Sequence, residues 1–351
     1  MAVGLVVLHH LGVSSFAQAL VKNGYTWVGR ILGSFTASGV ELFFVLSGVV
    51  LLRPYLRDGR RMDIAHYCWR RIVRLYPPFF VAWLLSGLSV WLVWTYPTWW
   101  SQVSALPVFD LMDWIQQSGI MYFGNRAHNF AWWSLTVELM FYVCAPAIVI
   151  LIAFTKNARM AVRCLLAASI VAALLVYPGS SASGPLALPG IRQFVIYLSS
   201  FAAGVFLATS EAPRLLRRSA AVLGLFIVGC SGMFDALNVH VGWGLLYFGV
   251  VGSAIDQWTR ASRTLSNDKL VWLGERSYSI FLTHYAVITM VCLLASMFVS
   301  TKGAVYFIVT RVVALLASLL VAMLVFHLVE KRFARNLVTA DRLLPWSQAS
   351  L

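Results

Sequence analysis

The sequence has 351 residues, of which 60% are hydrophobic and only 11% are charged, and its mean hydropathy is +0.79. Soluble domains are about 45–50% apolar and about 25% charged, so this composition excludes a soluble globular enzyme and a secreted disulfide scaffold. The five cysteines form no CxxC pair and predict buried structural thiols rather than a metal site. The formal net charge of +14 indicates a protein that binds nucleic acid, a protein that binds an anionic ligand, or simply the charge bias of a membrane protein's topology.

Ten stretches are apolar enough to be membrane spans, each of which needs about 20 residues. They cover roughly 1–20, 35–53, 76–96, 132–154, 161–178, 191–209, 219–237, 240–258, 277–300 and 304–328. The sequence therefore predicts an all-α integral membrane protein with about ten transmembrane helices. We assign residues 1–335 to one transmembrane domain and 336–351 to a short cytoplasmic tail. The connection over 97–131 is expected to be a functional loop or a partly re-entrant one.

The first predicted span carries His9 and His10 and begins at Met1 without the basic flank that a first span commonly has. Neighbouring residues of a helix lie about 100° apart, so only one of the two imidazoles can face a given cavity. An imidazole can take up and return a proton near neutral pH, as acyl transfer to a hydroxyl requires. A hydrogen-bonded packing role is the alternative for an intramembrane histidine.

Further ionisable groups fall inside the second, fourth and ninth predicted spans, at Glu41, Glu138 and His284. A charge at membrane depth is costly, so each of these groups is a functional candidate. A carboxylate beside a histidine would fix its tautomer and stabilise the imidazolium form. Glu138 has two simpler explanations, exposure to water and pairing with Arg126.

The connection before the third predicted span contains the segment RRIVRLYPP, with Arg70, Arg71 and Arg74 directly before a helix that Pro77 is expected to help begin. Membrane topology alone would explain these arginines. Clustered guanidinium groups also bind phosphates in a bidentate manner. Nucleic acid is not expected, because the chain has no basic domain outside the predicted spans.

Basic residues alternate between the predicted connections. Of the 27 lysines and arginines, 21 fall on one side and 5 on the other, and Arg311 lies inside the tenth span. The positive-inside rule makes the rich side cytoplasmic, so both termini are predicted to be cytoplasmic.

Six segments occur in an order that resembles the membrane-bound acyltransferase-3 family of bacterial O-acyltransferases, in its stand-alone form. They are VVLHH (6–10), GVELFFVLSG (39–48), RRIVRLYP (70–77), WSLTVE (133–138), LGERSYSIFLTH (273–284) and LVEKRF (328–333). The resemblance implies a multi-pass enzyme of the bacterial inner membrane. Such an enzyme takes an acyl group, most often acetyl, from cytoplasmic acyl-CoA and passes it to a hydroxyl of a carbohydrate or lipid-linked glycan. Acyl-CoA, the glycan and membrane lipids are thus the expected partners, and no metal is expected.

The resemblance also implies roles for individual residues. The family motif of an arginine, ten residues and a histidine places the catalytic histidine at His10 and its arginine two positions before Met1. We expect that the start was assigned a few residues late; an inactive member lacking this arginine is the alternative. His10 would act as a general base on the acceptor hydroxyl or as a transient acyl carrier. Glu41, where the family commonly has aspartate, or Glu138 would orient or charge-balance it.

The remaining candidates concern the acyl donor and the lining of the site. Arg71 and Arg74, together with Arg70, would hold the phosphates of CoA. The candidate site-lining residues are His284, Ser47 and Tyr142. A polytopic transporter or flippase with proton-relaying His and Glu residues is the alternative from another functional class, although no inverted repeats with matching broken helices are visible.

Overall fold

The computed structural model describes residues 1–59, 61–96, 110–120, 129–155, 157–176, 189–209, 212–234, 238–255, 266–298 and 303–334. Within these ranges the chain is helical and contains no strand. Most of the 97–131 connection and the predicted tail over 336–351 lie outside the described residues.

The first of two compact units comprises residues 1–62, 120–125 and 133–274. Its helices are α1 (Ala2–Leu8), α2 (Ser14–Lys22), α3 (Thr26–Ala37), α4 (Gly39–Leu56), α7 (Trp133–Phe154), α8 (Ala158–Val176), α9 (Pro189–Thr209), α10 (Arg214–Ser231), α11 (Val239–Ile255) and α12 (Asp268–Glu275). A π-helical turn, His9–Val13, joins α1 to α2.

Helix α4 lies at the centre of the first unit, where it packs against α1, α7, α9 and α11. Gly48 of α4 and Gly204 of α9 allow two backbones to meet. A Cβ atom at Gly48 would collide with the carbonyl oxygen of Phe201, and one at Gly204 with that of Val45. Small residues at helix crossings are a common means of close packing in membranes. This contact fixes the helix that carries Glu41 and Ser47.

The second unit comprises residues 63–119, 126–132 and 275–351. Its helices are α5 (Ile64–Thr95), α6 (Leu111–Gln117), α13 (Ser277–Phe298) and α14 (Ala304–Val325), which continues into a π-helical turn, Phe326–Glu330. Asp63 caps α5 by accepting a hydrogen bond from the His66 backbone N–H at 3.1 Å, and α5 packs against α13.

Eight helical segments of the described chain are long and apolar enough to cross a membrane, which confirms the all-α, multi-pass prediction. They are Ala2–Lys22, Thr26–Leu56, Ile64–Thr95, Phe130–Phe154, Ala158–Val176, Gly190–Thr209, Ser277–Phe298 and Ala304–Ala334. The predicted spans over 219–237 and 240–258 correspond to α10 and α11. Helix α11 is apolar but only 17 residues long, and α10 carries three arginines in its first five residues. The total of ten spans therefore stays a prediction.

The expected start of the third span is wrong. Pro77 does not begin a helix, because α5 starts at Ile64 and runs through both Pro77 and Pro78. A proline ring removes one N–H donor and usually interrupts a helix. Here Asp63 supplies the start signal instead, and the arginines from Arg70 to Arg74 lie on the helix rather than before it.

Candidate active site

The two histidines of the first helix lie at a break in its regular geometry. His9 and His10 begin the π-helical turn, and Gly12 has φ 112° and ψ 0°, a left-handed backbone conformation that favours glycine. Isolated π-helical turns inside α-helices occur frequently at functional sites. The rings of His9 and His10 meet edge to face, with 5.3 Å between centroids.

His9 is tied to α3. Its Nδ1 atom lies 2.9 Å from the hydroxyl oxygen of Thr36, and that hydroxyl donates to the carbonyls of Leu32 and Gly33 at 3.3 and 3.1 Å. Since the hydroxyl proton is directed to these carbonyls, Nδ1 of His9 is the donor in the His9–Thr36 contact. His9 therefore holds the turn on α3, and this leaves His10, which is half-buried, as the candidate for chemistry.

Glu41 has a histidine partner that the sequence did not suggest. Its Oε1 atom lies 2.6 Å from Nδ1 of His240, on α11. The Glu41 side chain is 2% exposed, whereas that of His240 is 23% exposed. An ionised carboxylate on Nδ1 holds the proton there, so Nε2 of His240 is the nitrogen that can take up another.

The second oxygen of Glu41 is buried without a hydrogen-bond partner among the described residues. Buried polar atoms are nearly always hydrogen-bonded, and an exception points to a bound water, an ion or a catalytic role. Oε2 of Glu41 is therefore available to accept a hydrogen bond from a hydroxyl in this site. Glu41 thus combines a fixed histidine contact with an unused acceptor atom.

The local structure of α11 positions His240. The Asn238 side chain begins the helix by accepting from the backbone N–H of His240 at 3.0 Å, and it donates to the Ala173 carbonyl at 3.0 Å. Two turns further along α11, the Tyr247 hydroxyl lies 2.6 Å from the Ser38 hydroxyl, just before α4. Two polar contacts therefore join α11 to α4 and to the residue directly before it.

Glu138 forms a second polar cluster with two of the predicted site-lining residues. Its Oε1 atom accepts a hydrogen bond from the Tyr142 hydroxyl at 2.5 Å, and the Ser47 hydroxyl lies 3.4 Å away. All three side chains are half-buried. The structure thus brings together three residues that the sequence analysis had named separately, and it places them on α4 and α7.

The arginine candidates lie in the second unit. Arg71 and Arg74 are three residues apart on α5 and therefore share a face, as do Arg70 and Arg74. Arg70 and Arg74 are exposed, and the half-buried Arg71 lies over the ring of Tyr67, at 5.3 Å from its centroid. Guanidinium groups fixed on one helix can bind a phosphate in a bidentate manner, as the predicted role requires.

His284 also lies in the second unit, and it is fully buried. Its Nδ1 atom lies 2.8 Å and 3.1 Å from the carbonyl oxygens of Phe281 and Ile280, one turn earlier in α13. Nδ1 therefore donates within its own helix. This contact is typical of a packing histidine, the alternative considered for intramembrane histidines.

Among the described residues, no group of three or more His, Cys, Asp or Glu side chains could hold a metal ion. Of the candidate functional residues, the sequence analysis missed His240. It lies at the first position of a predicted span, where a polar residue is unremarkable, and its partner is 199 positions away in the chain.

Comparison with known proteins identifies the same family as the sequence motifs. A family described as an acyltransferase domain, the acyltransferase-3 family, matches residues 1–327. The chain belongs to this family. The resemblance carried by the six motifs is thus confirmed.

Two relatives of this chain come from bacteria. The "Peptidoglycan O-acetyltransferase OatA" of Listeria monocytogenes is 25% identical over 281 residues, covering 72% of this chain and 45% of the relative. The "Putative peptidoglycan O-acetyltransferase YrhL" of Bacillus subtilis is 24% identical over 319 residues, covering 80% and 48%. The chain thus spans about half the length of these relatives. No solved structure matches it.

Proposed function

We propose that this protein is an enzyme of the bacterial inner membrane that moves an acetyl group from acetyl-CoA to a hydroxyl of peptidoglycan. Membership of the family supports the reaction class. The names of both relatives support acetyl as the group and peptidoglycan as the glycan. The arginines on α5 support a phosphate-bearing acyl donor, and the positive-inside rule places them on the cytoplasmic side, where acyl-CoA is made.

The observation that carries the proposal is the buried Glu41 carboxylate, with one oxygen on an imidazole and the other without a partner among the described residues. The same predicted topology places Glu41, Glu138 and His240 near the outer ends of their helices. An acceptor glycan outside the membrane approaches from that side.

The reaction is a transfer between a thioester and an alcohol. An imidazole takes the proton of the glycan hydroxyl while the hydroxyl oxygen bonds to the thioester carbonyl carbon. The carbon–sulfur bond then breaks, and the CoA thiolate takes the proton back from the imidazolium. The products are an O-acetyl ester and CoA, and no further reactant is required.

Two imidazoles of the first unit are candidates for this base. The family motif selects His10, and we retain His10 as the base. The contact with Glu41 favours His240 as a second candidate, because a carboxylate on Nδ1 stabilises the imidazolium that forms.

The deciding experiment uses purified protein in liposomes, with radiolabelled acetyl-CoA and soluble peptidoglycan fragments. We expect acceptor-dependent labelling of the fragments and matching release of CoA. His10→Ala, His240→Ala and Glu41→Gln are compared with His327→Ala, a variant of an exposed histidine in the second unit. A transporter would release no CoA, and that result would overturn the proposal.

The same panel separates the two bases. Loss of transfer in His10→Ala, with His240→Ala retaining at least a tenth of the rate, assigns the base to His10. The reverse pattern, shared by Glu41→Gln and observed in variants that thermal unfolding shows to be folded, assigns it to the Glu41–His240 pair. Mass spectrometry of cell-envelope glycans with and without the gene would identify both the acceptor and the acyl group.

A further inference from the structure

A cavity of about 850 Å³ opens in the first unit, apart from the candidate active site. It lies between the first turns of α8, the last turn of α9 and the start of α10. Three arginines line it, namely Arg57, directly after α4, and Arg159 and Arg163 of α8. We call this cavity the arginine groove.

The polarity of the arginine groove changes along α8. Arg159 and Arg163 are four residues apart, and the same face continues through Leu166, Ala167 and Ile170, all of which line the groove. From Arg159 to Ile170 the helix rises about 16 Å. One end of the groove is therefore cationic and the other apolar.

The other walls of the arginine groove agree with this polarity. Phe206 of α9 and Leu216 of α10 add apolar surface, and Thr209 adds one hydroxyl. No acidic side chain is among the described lining residues. Such a lining complements an anion attached to a hydrocarbon chain. It offers few of the hydrogen-bonding groups that a nucleotide base and sugar would use.

The position of the groove in the membrane can be inferred from the helix ends around it. Arg57 follows α4, Arg159 lies at the start of α8, and Pro213 precedes α10. All of these belong to connections rich in basic residues, which the positive-inside rule makes cytoplasmic. The cationic end therefore lies at the level of lipid headgroups, and the apolar end points towards the middle of the bilayer.

We propose that the arginine groove binds one anionic phospholipid of the cytoplasmic leaflet. Its phosphate contacts Arg57, Arg159 and Arg163, and one acyl chain follows the apolar face of α8. Basic pockets between transmembrane helices on the cytoplasmic side commonly bind acidic headgroups. This site is separate from the proposed acetyl transfer, and it can be tested without any acyl substrate.

The test measures lipid binding to the whole protein by native mass spectrometry, after titration with phosphatidylglycerol or phosphatidylcholine in detergent. We expect one tightly retained phosphatidylglycerol and at least tenfold weaker retention of phosphatidylcholine. Each arginine near an anionic headgroup accounts for about a fivefold change in affinity, so Arg159→Gln/Arg163→Gln should weaken the binding of phosphatidylglycerol about 25-fold. Arg214→Gln/Arg218→Gln removes the same charge from α10 outside the groove lining and should change binding less than twofold.

A second matched pair tests the acyl-chain end. Ala167 lines the groove, whereas its exposed neighbour Ala168 does not, so Ala167→Phe should fill the groove and displace the lipid while Ala168→Phe should not. Thermal unfolding of each variant shows that it is folded.

Three results would overturn the proposal. The first is equal retention of both lipids, and the second is unchanged phosphatidylglycerol binding in a folded Arg159→Gln/Arg163→Gln or Ala167→Phe variant. The third is one-for-one displacement of the lipid by free CoA, which would assign the arginine groove to the acyl donor.

Discussion

The pairing of Glu41 with His240 makes a quantitative prediction about stability. Glu41 is 2% exposed, and within the described chain His240 is its hydrogen-bond partner. His240→Ala therefore leaves a buried carboxylate uncompensated, which costs about 3–5 kcal/mol in comparable buried pairs. Glu41→Gln keeps an acceptor for the imidazole and removes the charge, so its cost should be about 1–3 kcal/mol.

The double variant isolates the pair. In Glu41→Gln/His240→Ala no buried charge is stranded, so its destabilisation should be at least 1 kcal/mol less than the sum of the two single effects. That difference is the coupling energy of the contact. Without it, the two residues would be neighbours that contribute independently.

Thermal unfolding in detergent, followed by tryptophan fluorescence, provides the assay. His240→Ala should lower the melting temperature by about 6 °C or more, whereas His327→Ala, at an exposed position, should shift it by less than about 1 °C. A His240→Ala protein as stable as wild type would refute the reasoning, as would strict additivity of the two single substitutions.

Three further predictions concern other parts of the molecule. His10→Ala should lower acetyl transfer by about 10²–10⁴-fold without changing membrane insertion, measured by radiolabel transfer and by fractionation; wild-type rates would exclude His10 as the base. Arg71→Ala and Arg74→Ala should raise the KM for acetyl-CoA more than they lower kcat, and an unchanged KM would remove them from the acyl-donor site. Gly48→Leu should prevent accumulation of folded protein, because the side chain would enter the backbone of α9, while Gly4→Leu, in open space, should be tolerated.

The sequence predicted the fold class because span length and charge bias have direct physical causes. Twenty apolar residues cross a bilayer, and basic residues stay on one side of it. The same rule was less successful for α10. Arg214, Arg217 and Arg218 lie inside that helix. A predicted span that begins after the last of these charges, at residue 219, therefore leaves out the first turn of α10.

The candidate site was only partly predictable, because a motif names residues but does not pair them. The resemblance assigned Glu41 to His10 as an orienting group, and the structure gives Glu41 a hydrogen bond to His240. Nothing in the local pattern around His240 distinguishes it from a residue at a helix end. By contrast, Ser47, Glu138 and Tyr142 were all named in advance, and their contact on α4 and α7 needed only the fold.

The uninterrupted course of α5 through Pro77 and Pro78 has a mechanical consequence. Prolines at these positions leave the carbonyls of Val73 and Arg74 without their usual helical N–H partners. The hydrogen bonds of the neighbouring turns keep the helix continuous across these positions. The turns that carry the arginines are thus separated from the rest of α5, which extends to Thr95, by a segment with fewer backbone hydrogen bonds. Binding of a ligand to Arg71 or Arg74 would therefore bend the helix at Pro77 and Pro78 more readily than elsewhere.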